Sequence, residues 1–130
     1  MIEHIVAALI TEGNQFLVVQ EEKDSYFKLP EGGIKEGETE IQALKRELLE
    51  ELTARCEIIG KLLSYDLTSK NRMFKFHIYR VNLLDEPKQN PSASEQNERN
   101  LRIFYVGKEQ LKSADAAPSF KQIVDYLERT

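Results

Sequence analysis

At 130 residues, 41% apolar and 31% charged, the chain has the size and composition of one globular domain with a single real core. A net charge of −4 without any Lys/Arg run argues against bulk nucleic-acid binding, and no apolar stretch approaches membrane-spanning length. The lone Cys56 forms no internal disulfide and the polar, alternating start "MIEHIVAALITEG" does not read as a secretory signal, so the expected location is cytoplasmic.

In chain order, "HIVAALI" and "QFLVVQ" are apolar, β-branched runs joined by "TEGN", which predicts a hairpin. "YFKLP" is a short extended piece, because the residue before Pro30 avoids the helical region. "EGGIKEGE" follows as a glycine-rich loop. The segment "TEIQ", Thr39 to Gln42, is a capping box that opens a helix. Ile41, Leu44, Leu48 and Leu52 then recur at steps of three and four, one apolar stripe. "CEIIGKLLSYDL" and "RMFKFHIYRVNLL" predict two strands paired through "TSKN". Asp85 to Asn100 is almost free of apolar residues and long for a loop. "LRIFYV" is a further strand, "KEQLKSA" a helical turn, and "APSFKQIVDYLERT" a closing helix with Phe120, Ile123, Val124 and Leu127 on one side. One domain over residues 1–130 is expected, a sheet with helices packed on its faces.

The informative stretch is "LPEGGIKEGETEIQALKRELLEEL". Glu47, Glu50 and Glu51 stand at i, i+3 and i+4, so they share one helix face, with Ala43 leaving room beside them and the leucines to one side. Like charges so placed repel, and a glutamate-rich helix face taken alone is usually just solvated. The spacing changes that reading. Gly32, Glu38, Arg46, Glu47, Leu48, Glu50 and Glu51 form the pattern G-x5-E-x7-R-E-U-x-E-E, with U aliphatic. Chance gives such a match on the order of 10⁻⁷ per starting position. Gathered carboxylates without His or Cys nearby suit Mg²⁺ or Mn²⁺, not zinc or copper.

With these residues the sequence resembles the Nudix hydrolase family, of the MutT-like type, and "FKLP" looks like the family's aromatic-x-Leu-Pro entry to the box. The resemblance implies an α/β/α sandwich, a mixed sheet flanked by helices. It also implies a hydrolase cleaving a phosphoanhydride bond in a nucleoside diphosphate linked to another group. Divalent metal is required, usually Mg²⁺, with Mn²⁺ as substitute. By position, Glu47, Glu50 and Glu51 correspond to metal ligands, one of them a candidate base. Glu38 supports the metal site, and Arg46 orients the glutamates and ties loop to helix. The backbone carbonyl of Glu31 corresponds to a further metal contact. In relatives a downstream loop glutamate is another ligand or the base; here Glu98 is the better candidate and Glu95 the other. The implied partner is a small-molecule nucleotide, with a homodimer as in many relatives.

Three positions depart from the family pattern: Glu31 and Thr53 where glycine is common, and Lys35 where glutamate is common. Signatures of the ADP-ribose, diadenosine-polyphosphate and coenzyme A subgroups are absent, which leaves a nucleoside triphosphate as the default substrate. The alternative is a Nudix-like module that binds nucleotide without cleaving it. Outside the box, His77 reads as a structural strand histidine, His4 as a strand residue and Cys56 as a small core residue. Phe27, Tyr65, Phe74 and Tyr79 are candidates for core or base stacking, and Arg72 and Lys75 for surface charge or phosphate contact.

Overall fold

The structure, a computed structural model, describes residues 1–88, 101–113 and 115–129. Its elements in order are β1 (Ile2–Leu9), β2 (Thr11–Glu12), β3 (Gln15–Glu21), β4 (Glu31–Gly33), helix α1 (Glu40–Leu52), β5 (Cys56–Ser69), β6 (Arg72–Leu83), β7 (Leu101–Gly107), a 3₁₀ turn (Lys108–Lys112) and helix α2 (Phe120–Arg129). They form a mixed four-stranded sheet, β4-β1-β6-β5, and a three-stranded antiparallel sheet, β2-β3-β7. In the mixed sheet β1 and β6 run parallel, and the other two pairings are antiparallel.

β1 is the pivot. It has β4 on one edge and β6 on the other, so both of its ladders are taken. Val6, Ala7, Ala8 and Leu9 are all buried, because a central strand is covered on both faces. Alternation divides them. Val6 and Ala8 join Leu44, Leu48 and Leu52 of α1 in one core, while Ala7 and Leu9 join Phe120, Ile123 and Val124 of α2 in the other. Fully burying each such Leu or Ile contributes about 1.5–3 kcal/mol.

The expected hairpin between "HIVAALI" and "QFLVVQ" is not formed as such. The chain turns around Gly13, and only Thr11 and Glu12 pair with β3, which belongs to the second sheet. With both edges of β1 occupied, β3 takes β7 as its neighbour instead. The glycine-rich loop is also partly strand, since Glu31, Gly32 and Gly33 pair with Ala7, Val6 and Ile5. The β5–β6 hairpin forms as its sequence predicts. Lys70 (φ 51°) and Asn71 (φ 63°) are both left-handed, the two-residue turn whose twist matches the strands.

α1 begins where its capping box predicts. Thr39 Oγ1 accepts from the Gln42 N–H (3.1 Å), and the Thr39 N–H donates to Gln42 Oε1 (2.9 Å). Leu44, Leu48 and Leu52 are fully buried, but Ile41 stays 43% exposed and does not belong to the stripe. The helix ends at Thr53 in the left-handed region (φ 52°, ψ 40°), whose N–H donates to the Leu49 carbonyl at 3.1 Å. The stop made by glycine in the family pattern is therefore made here by threonine. α2 buries Phe120, Ile123 and Val124, and Leu127 packs partly against the same core.

Candidate active site

The site lies where β4 meets α1. Gly32 explains the first requirement. A Cβ on this residue would overlap the Glu47 carboxylate where it stands, so any side chain here would push that carboxylate aside. Its φ is not left-handed. Glu31, beside it, is an ordinary extended strand residue, so the departure there costs no backbone strain. Gly37, by contrast, does need its freedom. Its φ of 84° makes the turn in which the Glu38 N–H donates to the Lys35 carbonyl at 3.0 Å. Lys35 serves through its backbone as well, its N–H donating to Glu38 Oε1 at 2.8 Å, while its side chain is exposed. The substitution for glutamate at this position thus leaves the turn intact.

Arg46 is the hub. Its Nε and Nη2 grip the Glu38 carboxylate from both sides (2.7 and 2.9 Å). Nη2 also donates to the Gly33 carbonyl (3.0 Å), and Nη1 donates to Glu47 (2.8 Å) and, more weakly, to Glu50 (3.4 Å). Such bidentate, charge-assisted contacts are the strong class of hydrogen bond. They hold the Glu38 carboxyl down at about 2, through the Arg46 bonds first and the Lys35 N–H second. Arg46 is in turn raised above its ordinary value, mainly by Glu38.

The three helix acids are not equivalent. Glu50 is half exposed, Glu47 is mostly covered, and Glu51 is only 4% exposed. The helical wheel puts all three on one face with the leucines to one side. Instead Glu51 lies within the buried arc of α1, turned to β4, where its Oε1 accepts from the Glu31 N–H at 3.1 Å. The strand amide makes this burial tolerable, since a buried carboxylate must find donors. The Glu31 carboxyl is pushed up to about 7, chiefly by burial and further by Glu47, against the pull of Lys28. Lys28 Nζ stands 3.8 Å from Glu31. Burial opposes its charge, but Glu31, Glu51, Glu21 and Asp24 together raise it.

Glu31, Glu38, Arg46, Glu47, Glu50 and Glu51 are thus brought to one place. Among the described residues no three His, Cys or carboxylate groups enclose a metal-sized space as the side chains stand, because Arg46 sits among the acids. Glu95 and Glu98 lie outside the described residues. Arg72 pairs with Glu3 beside the β5–β6 turn and lies over the Phe74 ring. Phe27 is core, and the Tyr65 hydroxyl donates to the Ser119 carbonyl (3.0 Å). Cys56 is half-buried, and burial raises its thiol. Lys28 was missed as part of the site. Its signal was present in "FKLP", as a cation three residues before Glu31.

The chain is similar to known proteins in sequence and in fold. A family model described as the NUDIX domain matches residues 2–127. An RNA pyrophosphohydrolase of Helicobacter pylori (strain P12) is 32% identical, over 95% of this chain and 92% of its own. A Wolbachia pipientis relative with the same description is 43% identical over 51 residues, and there the match spans only 32% of the relative's length. Among solved structures, a MutT NUDIX hydrolase from Burkholderia pseudomallei superposes with a TM-score of 0.82 over 97% of this chain and 98% of its own, at 16% identity. A NUDIX hydrolase from Nitrosomonas europaea gives 0.80 over 98% and 88%, at 19% identity. These two likenesses concern the fold.

Proposed function

The chain belongs to the Nudix family of hydrolases, enzymes of pyrophosphate bonds, and from that premise we propose a divalent-metal-dependent pyrophosphohydrolase acting on nucleoside 5′-triphosphates. The observation that carries this reading is the gathering of Glu38, Glu47 and Glu50 on Arg46, with Glu51 on the Glu31 amide, around a glycine that leaves room for the Glu47 carboxylate.

The donor set fits Mg²⁺ or Mn²⁺. It is made of hard oxygens, mutually repulsive and only partly neutralised by Arg46 and Lys28. Glu47, Glu50 and Glu51 would hold the ion, with Glu38 and the Glu31 carbonyl supporting it. Bound there, a divalent cation neutralises the triphosphate and lowers the pKa of the attacking water. The chain's own residues set the geometry. Arg46 keeps its bonds to Glu38 and the Gly33 carbonyl whatever Glu47 and Glu50 do, so loop and helix stay registered. Glu50 is the most exposed and most weakly held acid, so it turns toward an ion or water at the smallest cost. Lys28 adds positive charge beside Glu31, on the β4 side of the acids.

A second reading, the 5′-triphosphate end of an RNA, is favoured by the Helicobacter pylori relative, which is described as an RNA pyrophosphohydrolase. One assay separates the two. Nucleoside triphosphates and a 5′-triphosphorylated oligonucleotide are offered with Mg²⁺ and with Mn²⁺, and the products are identified. Release of pyrophosphate from the mononucleotides, abolished in Glu50→Gln and Glu51→Gln, supports the first reading. Release from the oligonucleotide alone transfers it to the second. Tight nucleotide binding without product refutes both and leaves a binding module. The proposal carries with it a cytoplasmic location and a homodimer, checked by fractionation and by sedimentation.

A further inference from the structure

Away from the acids, on the side of the mixed sheet that faces α1, five polar side chains form one hydrogen-bonded chain. Glu40, the first residue of α1, accepts from the Tyr79 hydroxyl (2.6 Å) and from Lys61 Nζ (2.9 Å) through Oε1. Lys61 Nζ also lies 2.9 Å from His77 Nδ1, and His77 Nε2 lies 2.9 Å from His4 Nδ1. An ammonium only donates, so His77 Nδ1 is an acceptor. Its proton therefore sits on Nε2 and is donated to His4. His77 is only 4% exposed, and every polar atom of its ring is used.

We propose that the chain Tyr79–Glu40–Lys61–His77–His4 is a positioning network that fixes the first turn of α1, and with it the acidic face, against the mixed sheet. An acid in the first turn of a helix is favourable without any partner. That does not account for donors from two strands converging on this one, nor for a buried histidine spent on holding one of them. The leucine stripe explains why a directional grip matters. The hydrophobic driving force is itself non-directional, whereas a hydrogen bond fixes an angle as well as a distance. A rotation of about 10° at a helix surface moves a carboxylate by about 1 Å, and a displacement of about 1 Å costs about 100-fold in a reaction that depends on placement. Arg46 holds the middle of α1 and Glu51 holds its last turn. Glu40 holds the start. The network reaches the other end of the loop too, because the His4 carbonyl accepts from the Ile34 N–H at 3.2 Å. Burial opposes ionisation of Glu40, yet the bonds from Tyr79 and Lys61 keep its carboxyl below the ordinary value.

The inference rests on the active-site reading above, and its test separates the two. Tyr79→Phe keeps the core ring and removes one donor; Lys61→Met removes the link to His77. At 25 °C, pyrophosphate release is followed against Mg²⁺ concentration, and amide hydrogen exchange is followed along α1 in the metal-free protein. Both variants are expected to lower kcat at least fivefold and raise the half-activating Mg²⁺ concentration at least threefold. The substrate KM should stay within twofold. Exchange at Leu44 and Lys45 should accelerate at least tenfold relative to Glu51 and Leu52. Unchanged kcat and Mg²⁺ response overturns the proposal even if Tm falls, since that is a merely structural loss. If the wild type itself hydrolyses nothing, the active-site reading fails, and the exchange pattern alone decides for or against the network. If both variants fail to fold, His4→Gln at the exposed end decides by the same two measurements.

Discussion

Thr53→Gly should stabilise the protein. Thr53 ends α1 at φ 52° and ψ 40°, a conformation that costs an L-residue about 1–2 kcal/mol. Its hydroxyl oxygen is also buried, and among the described residues it is the one side-chain polar atom so buried without a hydrogen-bond partner. Such an atom costs about 1–3 kcal/mol. Glycine relieves both. It gives back about 0.4–1 kcal/mol in unfolded-chain entropy and about 0.8 kcal/mol of methyl burial. The net gain is about 1.5 kcal/mol. With an unfolding entropy of about 2.1 cal/mol/K per residue over this length, Tm should rise by about 5 °C. Thr53→Ala removes the hydroxyl but keeps the left-handed strain, so it should gain about half as much. Thermal and urea unfolding of the three proteins in metal-free buffer measure this. If Thr53→Gly is no more stable than Thr53→Ala, the strain argument is wrong; if neither gains, the buried hydroxyl is wrong too.

Three further outcomes are expected. Gly32→Ala drives a methyl into the Glu47 carboxylate, so kcat/KM should fall by about 100-fold while the far-UV circular dichroism stays native. Arg46→Gln leaves Glu38, Glu47 and Glu50 facing one another without their shared cation, which should cost about 2–3 kcal/mol after allowing for partial exposure; calorimetry with and without Mg²⁺ should show a larger stabilisation by the ion in the variant than in the wild type. His77 is held below its ordinary 6.5, by burial first and then by Lys61, His4 and Lys75 against the opposing pull of Glu40. The unfolded chain then binds the proton more readily, so stability should fall as pH drops below about 6.5, and a His77→Gln variant should show a shallower decline between pH 7 and 5.

Local features were legible and long-range ones were not. The capping box, the Leu44-Leu48-Leu52 stripe, the β5–β6 turn and the α2 core face each follow from residues within one turn or one strand of each other. The sheet switch after Ile10 does not, because the partners that exclude β3 from β1 are Gly33 and Phe76 at Ile5. Glu51 shows the same limit within the active-site segment. The helical wheel places it on the acidic face, and only β4 turns that face into a buried one by supplying the Glu31 amide. His77 could be recognised as structural, but its partners stand at positions 4, 40 and 61, and no spacing in the sequence joins them.

The two cation systems on α1 explain how a helix tolerates so much like charge. Three acids on its sheet side are each matched to a donor: Glu40 to Lys61 and Tyr79 of the sheet, Glu51 to the Glu31 amide of β4, and Glu47 to Arg46 of the helix itself. Only Glu50 has nothing stronger than a 3.4 Å contact. Repulsion along the helix amounts to a few tenths of a kcal/mol per pair, and each charge-assisted bond returns about 1.5–3 kcal/mol. The chain's own donors therefore offset part of this repulsion. A ligand that competes for these carboxylates has least to displace at Glu50 and most at Glu51. Glu50→Gln should therefore leave Tm nearly unchanged in metal-free buffer, while Glu51→Gln should lower it, because an amide put in place of the buried carboxylate gives up the charge in the bond to the strand. Equal Tm values for the two would mean that the Glu51 contact does not hold the helix to β4.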